Sequence, residues 1–502
     1  MIAALLLVPA LAALLAFLLR SDRARRALLV GAALAHAGLV AGAWHARPAP
    51  VSGGWLALDA QGLLFLGLSS LLFLVVSVHA VGYLAREEAG RRRDLLEEGA
   101  WFSNTPEAVF TAGLLLALFA STLVAVSQHL GLQWVAIEGT TLASARLIYF
   151  HRHRRSLEAT FKYLLLCSVG IALALLGNFC LAAAAERGAP GLPLVLAELI
   201  GAAPRLDDAW LRAGFVFFLV GYGTKLGLAP LHSWLPDAYA EAPSLVSAFM
   251  SGSVSASALL GIVRAHEVCL AAGQGELSRG LLVGFGLLSM FVAAAFVIAQ
   301  ADFKRLLAYS SVEHTGILAL GIGLGGAGCR GALLQLLGSA LAKASMFLAA
   351  GNLLAVYRTR ACAEVRGLSR RMPFTGAIWL AGFGALVGFP PFGTFPGELL
   401  VLQGALDQGR WAVAAGYLAL LAVVFAGMSA LVLPMCQGPP PASGPGQRDS
   451  EAALAVLPAA LLLLLVLALG VWQPAPLQRL LEEAALALDG GAPAGVGGGG
   501  GS

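Results

Sequence analysis

Four ionisable side chains stand inside long apolar segments of the sequence: Glu138, Lys225, Lys343 and Glu398. A charge at the centre of a bilayer costs about 2.5–3.5 kcal/mol on insertion scales, so such residues persist only when they are paired, hydrated or neutral. Burial disfavours the charged form of both residue types, and groups in this setting can therefore take up and release protons. Structural ion pairs between helices are the alternative. Four residues of both signs in four separate segments favour the proton-carrying interpretation.

Glycine and proline interrupt two of these segments close to the ionisable residue. GYGTKLGLAP surrounds Lys225, and GFPPFGTFPGE ends at Glu398. Proline removes a backbone hydrogen bond, and at membrane depth such breaks are tolerated only where protein or water satisfies the freed groups. Transporters use matched broken helices in two inverted repeats to build ion sites. We therefore predict two broken helices at ion sites, in preference to simple kinks that help helices pack.

Polar residues between these points could complete a path for protons. His232 follows the first break, Ser251 lies in a serine-rich segment, and Ser310, Ser311 and His314 follow one another in AYSSVEHTG. Each also has an ordinary structural alternative, either a hydrogen bond to a freed carbonyl or close packing of small residues. The predicted proton path comprises Glu138, Lys225, His232, Lys343 and Glu398, and the candidate relay comprises Ser251, Ser310, Ser311 and His314.

The composition indicates which elements must position these residues. Hydrophobic residues make up 59% of the 502 residues and charged residues 12%, whereas soluble domains are about 25% charged. Lipid must be the main solvent, which argues against a soluble enzyme, a disordered chain and a nucleic-acid-binding protein. A membrane helix needs about 20 apolar residues, and lipid-exposed spans of such a chain are helical. Roughly fourteen such segments are present, at 2–19, 27–44, 61–84, 108–128, 130–150, 161–184, 211–235, 243–264, 279–300, 305–325, 331–357, 374–402, 411–434 and 452–473.

Basic residues are distributed unevenly between the two ends of these segments. Of 32 Lys and Arg residues, 20 fall in loops that follow odd-numbered spans. Cytoplasmic loops carry an excess of such residues, so these loops are expected in the cytoplasm. Fourteen spans then place both termini on the other side. We predict a multi-pass protein of the bacterial inner membrane with periplasmic termini.

The two breaks lie five spans apart, in spans 7 and 12, which predicts two inverted five-helix repeats formed by spans 4–8 and 9–13. The predicted fold is thus an all-α polytopic membrane protein. Residues 475–489 form an amphipathic stretch suited to a membrane surface, and the glycine-rich end is typical of an added linker. The expected units are 1–100 (spans 1–3), 101–265 (first repeat), 278–435 (second repeat), 436–474 (linker and last span) and 475–502 (tail).

No sequence motif for a redox centre or metal site is apparent. The six cysteines contain no C-x-x-C pair, and there is no nucleotide-binding glycine motif, Walker loop or H-E-x-x-H. We therefore expect no cofactor and no metal in this chain, so that any redox chemistry would belong to partner subunits.

Several segments together resemble the antiporter-like proton-pumping subunits of complex I and related enzymes. The resemblance is carried by QWVAIEGTTLASA, SLEATFKYLLLCSVGIALALLG, GTKLGLAPLHSWLPDAYAEAPSLVSA, DFKRLLAYSSVEHTG, SALAKASMFLAAGN and GFPPFGTFPGELL. Within that family, SLEATFKY and SSVEHTG are most similar to hydrogenase 4 component F of membrane-bound hydrogenase complexes. The resemblance implies fourteen helices with two inverted five-helix repeats. It also implies that Glu138 pairs with Lys225, that Lys343 lies at the centre of the second half, and that Glu398 is the exit residue.

The resemblance further implies partners and alternatives. The partners would be other membrane and soluble subunits, including nickel–iron hydrogenase-like and iron–sulfur subunits that supply redox energy. A cation/proton antiporter subunit, a proton-conducting subunit of an inorganic-carbon uptake complex and a non-conducting scaffold are the alternatives. The chain departs from the family pattern at Ser251 and Ser339, where relatives often carry basic residues, and at Arg146, where a small or apolar residue is usual.

Overall fold

The computed structural model describes residues 1–87, 91–93, 101–439 and 451–490, and this part of the chain is almost entirely helical. The α-helices are α1 (Ile2–Leu18), α2 (Asp22–His45), α3 (Ala60–Arg86), α4 (Glu107–Val126), α5 (Leu130–Ile148), α6 (Arg154–Gly188), α7 (Leu196–Ala202), α8 (Asp208–Leu226), α9 (Trp234–Glu241), α10 (Ser244–Phe249), α11 (Ser255–Ala271), α12 (Gly275–Val297), α13 (Phe303–Leu324), α14 (Ala327–Tyr357), α15 (Leu368–Arg371), α16 (Pro373–Leu386), α17 (Thr394–Asp407), α18 (Trp411–Gln437), α19 (Ala453–Val471) and α20 (Ala475–Leu488). A π-helical turn, Met250–Val254, joins α10 to α11.

A short pair of strands completes the described structure. Strands β1 (Arg91–Arg93) and β2 (Trp101–Ser103) pair antiparallel, with Arg92 opposite Phe102. Most of the predicted Pro/Gly linker, residues 440–450, lies outside the described residues, as does the glycine-rich end at 491–502.

The described helices are those of a polytopic membrane protein. Every predicted apolar segment contains a helix or a pair of helices. Within the described ranges, nine helices are long and apolar enough to cross a membrane, and two more are apolar but shorter. This number of long helices is lower than the roughly fourteen predicted spans partly because two predicted spans are each divided at a glycine- and proline-rich break. Two others, α5 and α13, carry polar residues along their length.

Both predicted helix breaks are confirmed. α8 ends at Leu226 and α9 begins at Trp234, while α16 ends at Leu386 and α17 begins at Thr394. Neighbouring side chains satisfy the freed backbone groups. Trp234 Nε1 donates to the Thr224 carbonyl at 2.8 Å, and Thr394 Oγ1 donates to the Ala385 carbonyl at 2.5 Å. These are the protein partners that a break at membrane depth requires.

Helix α20 packs on the protein, and the expectation that residues 475–489 lie on the membrane surface is wrong. Its apolar face, which includes Leu480, Leu481 and Leu488, is buried against α3, α11 and α14. Polar residues fix its other side: Glu483 accepts two hydrogen bonds from Arg47, at 2.6 and 2.5 Å. The helix thereby connects the N-terminal helices with α14.

Leu481→Ala should loosen the packing of α20 against the rest of the protein. Leu481 is 1% exposed, and truncating a buried leucine costs about 2–5 kcal/mol. We expect faster hydrogen–deuterium exchange across Ala475–Leu488, measured by mass spectrometry on the purified protein. Leu486→Ala is the matched control, because that side chain is 60% exposed. Equal exchange in the two variants would contradict the packing of α20.

Candidate functional site

Lys225 is buried in the last turn of α8, directly before the first break, and is 1% exposed. Its Nζ donates to the Ile137 carbonyl of α5 at 3.1 Å and to the Thr141 hydroxyl one turn further along α5. The ammonium also lies 5.9 Å from the centroid of the Tyr163 ring, within the range of a cation–π interaction. The lysine is therefore held against α5 by neutral groups.

Glu138 lies next to Ile137 on α5, but it does not contact Lys225 directly. Its Oε1 accepts a hydrogen bond from the Ser168 hydroxyl of α6 at 3.3 Å. Its Oε2 is buried and has no hydrogen-bond partner among the described residues. Within those residues no ion pair within 4 Å joins Glu138 to Lys225. The structure thus places the Lys225 ammonium group beside the turn of α5 that carries Glu138, and it holds the two side chains apart.

His232 lies in the first break and faces the second half of the chain. Its ring centroid is 6.2 Å from that of Tyr309 on α13, in an edge-on arrangement. Its Nδ1 is buried without a hydrogen-bond partner among the described residues, so this nitrogen does not make the bond to a freed carbonyl that was the structural alternative. In the same break, the Ala229 backbone N–H donates to the Ser289 hydroxyl of α12 at 2.9 Å. The break therefore contacts both α12 and α13.

A hydrogen-bonded chain crosses the second half between α13, α14 and α17. The Gln335 amide nitrogen donates to His314 Nδ1 at 3.2 Å and to Glu398 Oε1 at 3.1 Å. Because an amide nitrogen can only donate, His314 Nδ1 accepts, and a neutral ring then carries its proton on Nε2. That nitrogen is buried without a partner among the described residues. Two predicted residues, His314 and Glu398, are thus linked through one that was not predicted, Gln335.

Lys343 lies two turns beyond Gln335 on α14 and is 3% exposed. In the part of the chain that the structure describes, it makes neither a hydrogen bond nor an ion pair. It is close enough to His314 to act on it electrostatically. One turn before it, the buried Ser339 hydroxyl also lacks a partner among the described residues. Lys343 therefore has polar groups within reach but no fixed partner.

The predicted serine relay is only partly available for proton transfer. Ser251, in the π-helical turn, donates to the Ala248 carbonyl at 3.2 Å, and Ser311 donates to the Leu307 carbonyl at 3.0 Å. Both hydroxyls are thus used within their own helical segment. The Ser310 hydroxyl is buried with no partner in the described part of the chain.

Sequence reasoning missed further buried polar residues. Glu313, adjacent to His314 on α13, is buried, and its Oε2 has no partner among the described residues. On α11, Glu267 accepts a hydrogen bond from Gln61, and Arg264 donates to the Ser127 carbonyl. The sequence feature that could have identified these residues is an ionisable side chain within an apolar helix. Glu313 stands in SSVEHTG, and Arg264 and Glu267 stand in IVRAHEVC.

Comparison with known proteins gives consistent results. Residues 127–426 match the family described as NADH:quinone oxidoreductase/Mrp antiporter, TM. The chain is 38% identical over 362 residues to a hydrogenase-4 component F homolog of Methylacidiphilum infernorum, covering 71% of this chain and 74% of that one. A chain of an archaeal membrane-bound sulfane sulfur reductase has the same fold, with a TM-score of 0.85, 23% identity and 97% coverage of both chains. A chain of respiratory complex I from Thermus thermophilus aligns with a TM-score of 0.79 and 25% identity, over 97% of this chain and 99% of that one.

Proposed function

The chain belongs to the NADH:quinone oxidoreductase/Mrp antiporter transmembrane family, and we propose that it is a proton-translocating membrane subunit of a complex I-like respiratory or hydrogenase complex. The observation that carries this proposal is the buried polar chain of the second half. It runs from Lys343, which has no hydrogen bond or ion pair among the described residues, through His314 and Gln335 to Glu398 beside a helix break. Buried ionisable residues inside a membrane protein mark ion pathways.

The finer architecture belongs to the same proposal. Fourteen spans would form two inverted five-helix repeats, spans 4–8 and 9–13, within the residue boundaries given above. Both termini would lie in the periplasm. The two broken helices support this arrangement, because each is the fourth span of a proposed repeat and each has an ionisable residue beside its break.

Proton movement would depend on this chain's own residues. In the first half, Lys225 would exchange its bonds to Ile137 and Thr141 for a contact with Glu138, which already lies on the same turn of α5. A nearby carboxylate stabilises the charged amine, and its departure favours release of the proton. The proton would pass by His232 and the second-half polar chain to Glu398. Energy for the cycle would come from partner subunits, and the chain itself would need no cofactor.

A cation/proton antiporter subunit is the second candidate, since the family includes Mrp antiporters. The native complex should be purified gently, its subunits identified by mass spectrometry, and the preparation reconstituted into vesicles containing a pH-sensitive dye. Redox subunits together with proton movement driven by electron transfer would support the proposal. Proton movement that requires a sodium gradient and no electron donor would overturn it in favour of the antiporter.

Gly388→Ala should impair transport strongly, because a Cβ at that position would overlap Glu398 Oε2. Gly388 has a φ of +64°, and the matched control Gly409 has a φ of +67° with no atom within 4 Å of its Cβ position. Both variants place an alanine at a positive φ, which costs about 1–2 kcal/mol. Only in Gly388→Ala must the new methyl group displace the Glu398 carboxyl group. We expect at least a tenfold lower rate of vesicle acidification for Gly388→Ala than for Gly409→Ala, and equal rates would contradict this role of Gly388.

A further inference from the structure

Glu313 lies on the face of α13 that points toward Glu398. Ile317, one turn further along that face, belongs to an apolar cluster with Val401 of α17 and Tyr417 of α18. Glu398 stands one turn before Val401 on α17. Both carboxyl groups therefore lie at the same edge of this cluster, and each is close enough to act electrostatically on the other and on Tyr417.

The charge balance around the two carboxyl groups requires a proton. Tyr417 of α18 and Gln335 of α14 lie beside them, His314 of α13 accepts a hydrogen bond from Gln335, and Lys343 of α14 acts electrostatically on His314. Among the described residues, neither Glu313 nor Glu398 makes an ion pair within 4 Å. Two neighbouring carboxylates in an apolar interior are not stable when both are ionised. At least one of them must therefore hold a proton or share a bound cation.

Buried polar atoms without a hydrogen-bond partner indicate where that proton could move. In the described part of the chain, Glu313 Oε2 and Gln335 Oε1 are buried acceptors without donors, and His314 Nε2 also lacks a partner. Tyr417 does not supply the missing donor, since its hydroxyl donates to the Glu398 backbone carbonyl at 3.3 Å. The Gln335 amide nitrogen and the His314 ring place N–H groups beside the site, and an N–H group can donate to a carboxylate but cannot bind a metal cation. The oxygens Glu313 Oε2 and Gln335 Oε1 could accept a proton or a cation, and labelling in the presence of sodium distinguishes the two.

We propose that Glu313 is a second proton-binding residue, paired with Glu398, so that two carboxyl groups share one proton beside the second helix break. The inference rests on the proposed function and adds a residue that the path through Glu398 did not include. In the transfer step, the O–H bond of one carboxylic acid breaks as an O–H bond forms on the other carboxylate. The pair keeps a net charge of −1 throughout. Glu398 can then release its proton toward the exit while Glu313 receives the next one from the Lys343–His314 side.

Carbodiimide labelling tests this site without any assay of transport. Dicyclohexylcarbodiimide reacts with protonated carboxylic acids in apolar surroundings, and mass spectrometry locates the adduct in the intact native complex. We expect an adduct on Glu313 in some chains and on Glu398 in others, at most one per chain, and none on the exposed Glu364. The absence of any adduct on Glu313 would overturn the proposal. Protection by sodium but not by potassium would also overturn it, by indicating a cation site.

Transport by variants separates this inference from the proposed function. Glu313→Gln should lower the rate of proton translocation at least tenfold, Glu313→Asp should restore part of it, and Glu364→Gln should leave it unchanged. If Glu398→Gln is inactive while Glu313→Gln transports normally, the pair is refuted and the path through Glu398 stands. If Glu398→Gln also transports normally, the proposed path itself is refuted. Should Glu313→Gln fail to assemble, the labelling of the unmodified chain still decides the proposal.

Discussion

Replacing Lys225 with methionine is expected to lower proton translocation by the assembled complex at least tenfold. Methionine keeps the length and the apolar stem of the side chain but carries no proton. Lys225 is the titratable group that bonds to α5 beside Glu138, so its removal breaks the proposed path in the first half. A tenfold loss corresponds to a barrier higher by about 1.4 kcal/mol. The rate of vesicle acidification per reconstituted complex measures this effect.

Assembly should survive this substitution. The Ile137 carbonyl, which loses the lysine, also accepts a hydrogen bond from Thr140 Oγ1 at 2.7 Å. Only the Thr141 hydroxyl then loses its donor, and a threonine in a helix can donate its own O–H to a carbonyl of the preceding turn. Methionine adapts readily to an irregular apolar cavity. A normal subunit composition by mass spectrometry is therefore the expected companion result.

Lys162→Met is the matched control for Lys225→Met. Lys162 is an exposed lysine at the start of α6, where it forms ion pairs with Glu158 at 2.7 Å and with Asp237 at 2.9 Å. Exposed ion pairs contribute about 0–1 kcal/mol, so this variant should transport at close to the normal rate. Equal losses in both variants would mean that the effect of Lys225→Met is general and not specific to the buried path.

Glu138→Gln tests whether the separated arrangement is one stage of a cycle. If the pair must close for each proton, a neutral amide at position 138 should slow translocation as strongly as Lys225→Met does. The half-buried Glu138 side chain accepts a hydrogen bond from Ser168, and the amide oxygen of a glutamine can accept the same bond. Normal transport by Glu138→Gln would exclude the closing of this pair as a required step.

The sequence predicted those features that local residue types determine. Lys225 and Lys343 were identifiable because a lysine within an apolar run is costly, and both are buried. The helix breaks were identifiable because proline removes a backbone hydrogen bond, glycine weakens a helix, and several of these residues cluster at each break. These rules act within a single segment and need no knowledge of what packs against it.

Tertiary packing decided the features that the sequence did not predict. Gln335 is uncharged, so nothing marked it before the structure placed it between His314 and Glu398. Glu313 follows the polar start of α13, where water can solvate a carboxyl group, yet packing against α17 and α18 buries it. The amphipathic pattern of α20 indicated an apolar face but not whether lipid or protein covers it. These outcomes depend on neighbouring helices that lie far apart in the sequence.

Lys343→Met should lower the rate of transport without lowering the stability of the protein. Translocation is expected to fall at least tenfold, because the central proton carrier of the second half is lost. The temperature of unfolding should stay the same or rise, because Lys343 has no hydrogen bond or ion pair among the described residues. A buried polar group without a partner costs stability, and an apolar side chain of similar shape removes that cost.

The two readouts for Lys343→Met together distinguish a carrier from a structural lysine. A structural lysine would contribute bonds, and its loss would lower the unfolding temperature along with transport. Leu341→Met, at a buried apolar position of the same helix, controls for the introduction of methionine and should change neither quantity appreciably. Thermal unfolding of the purified complex and acidification of reconstituted vesicles supply the measurements. A lower unfolding temperature with unchanged transport would assign Lys343 to the framework of α14 and would leave the second half without its central proton carrier.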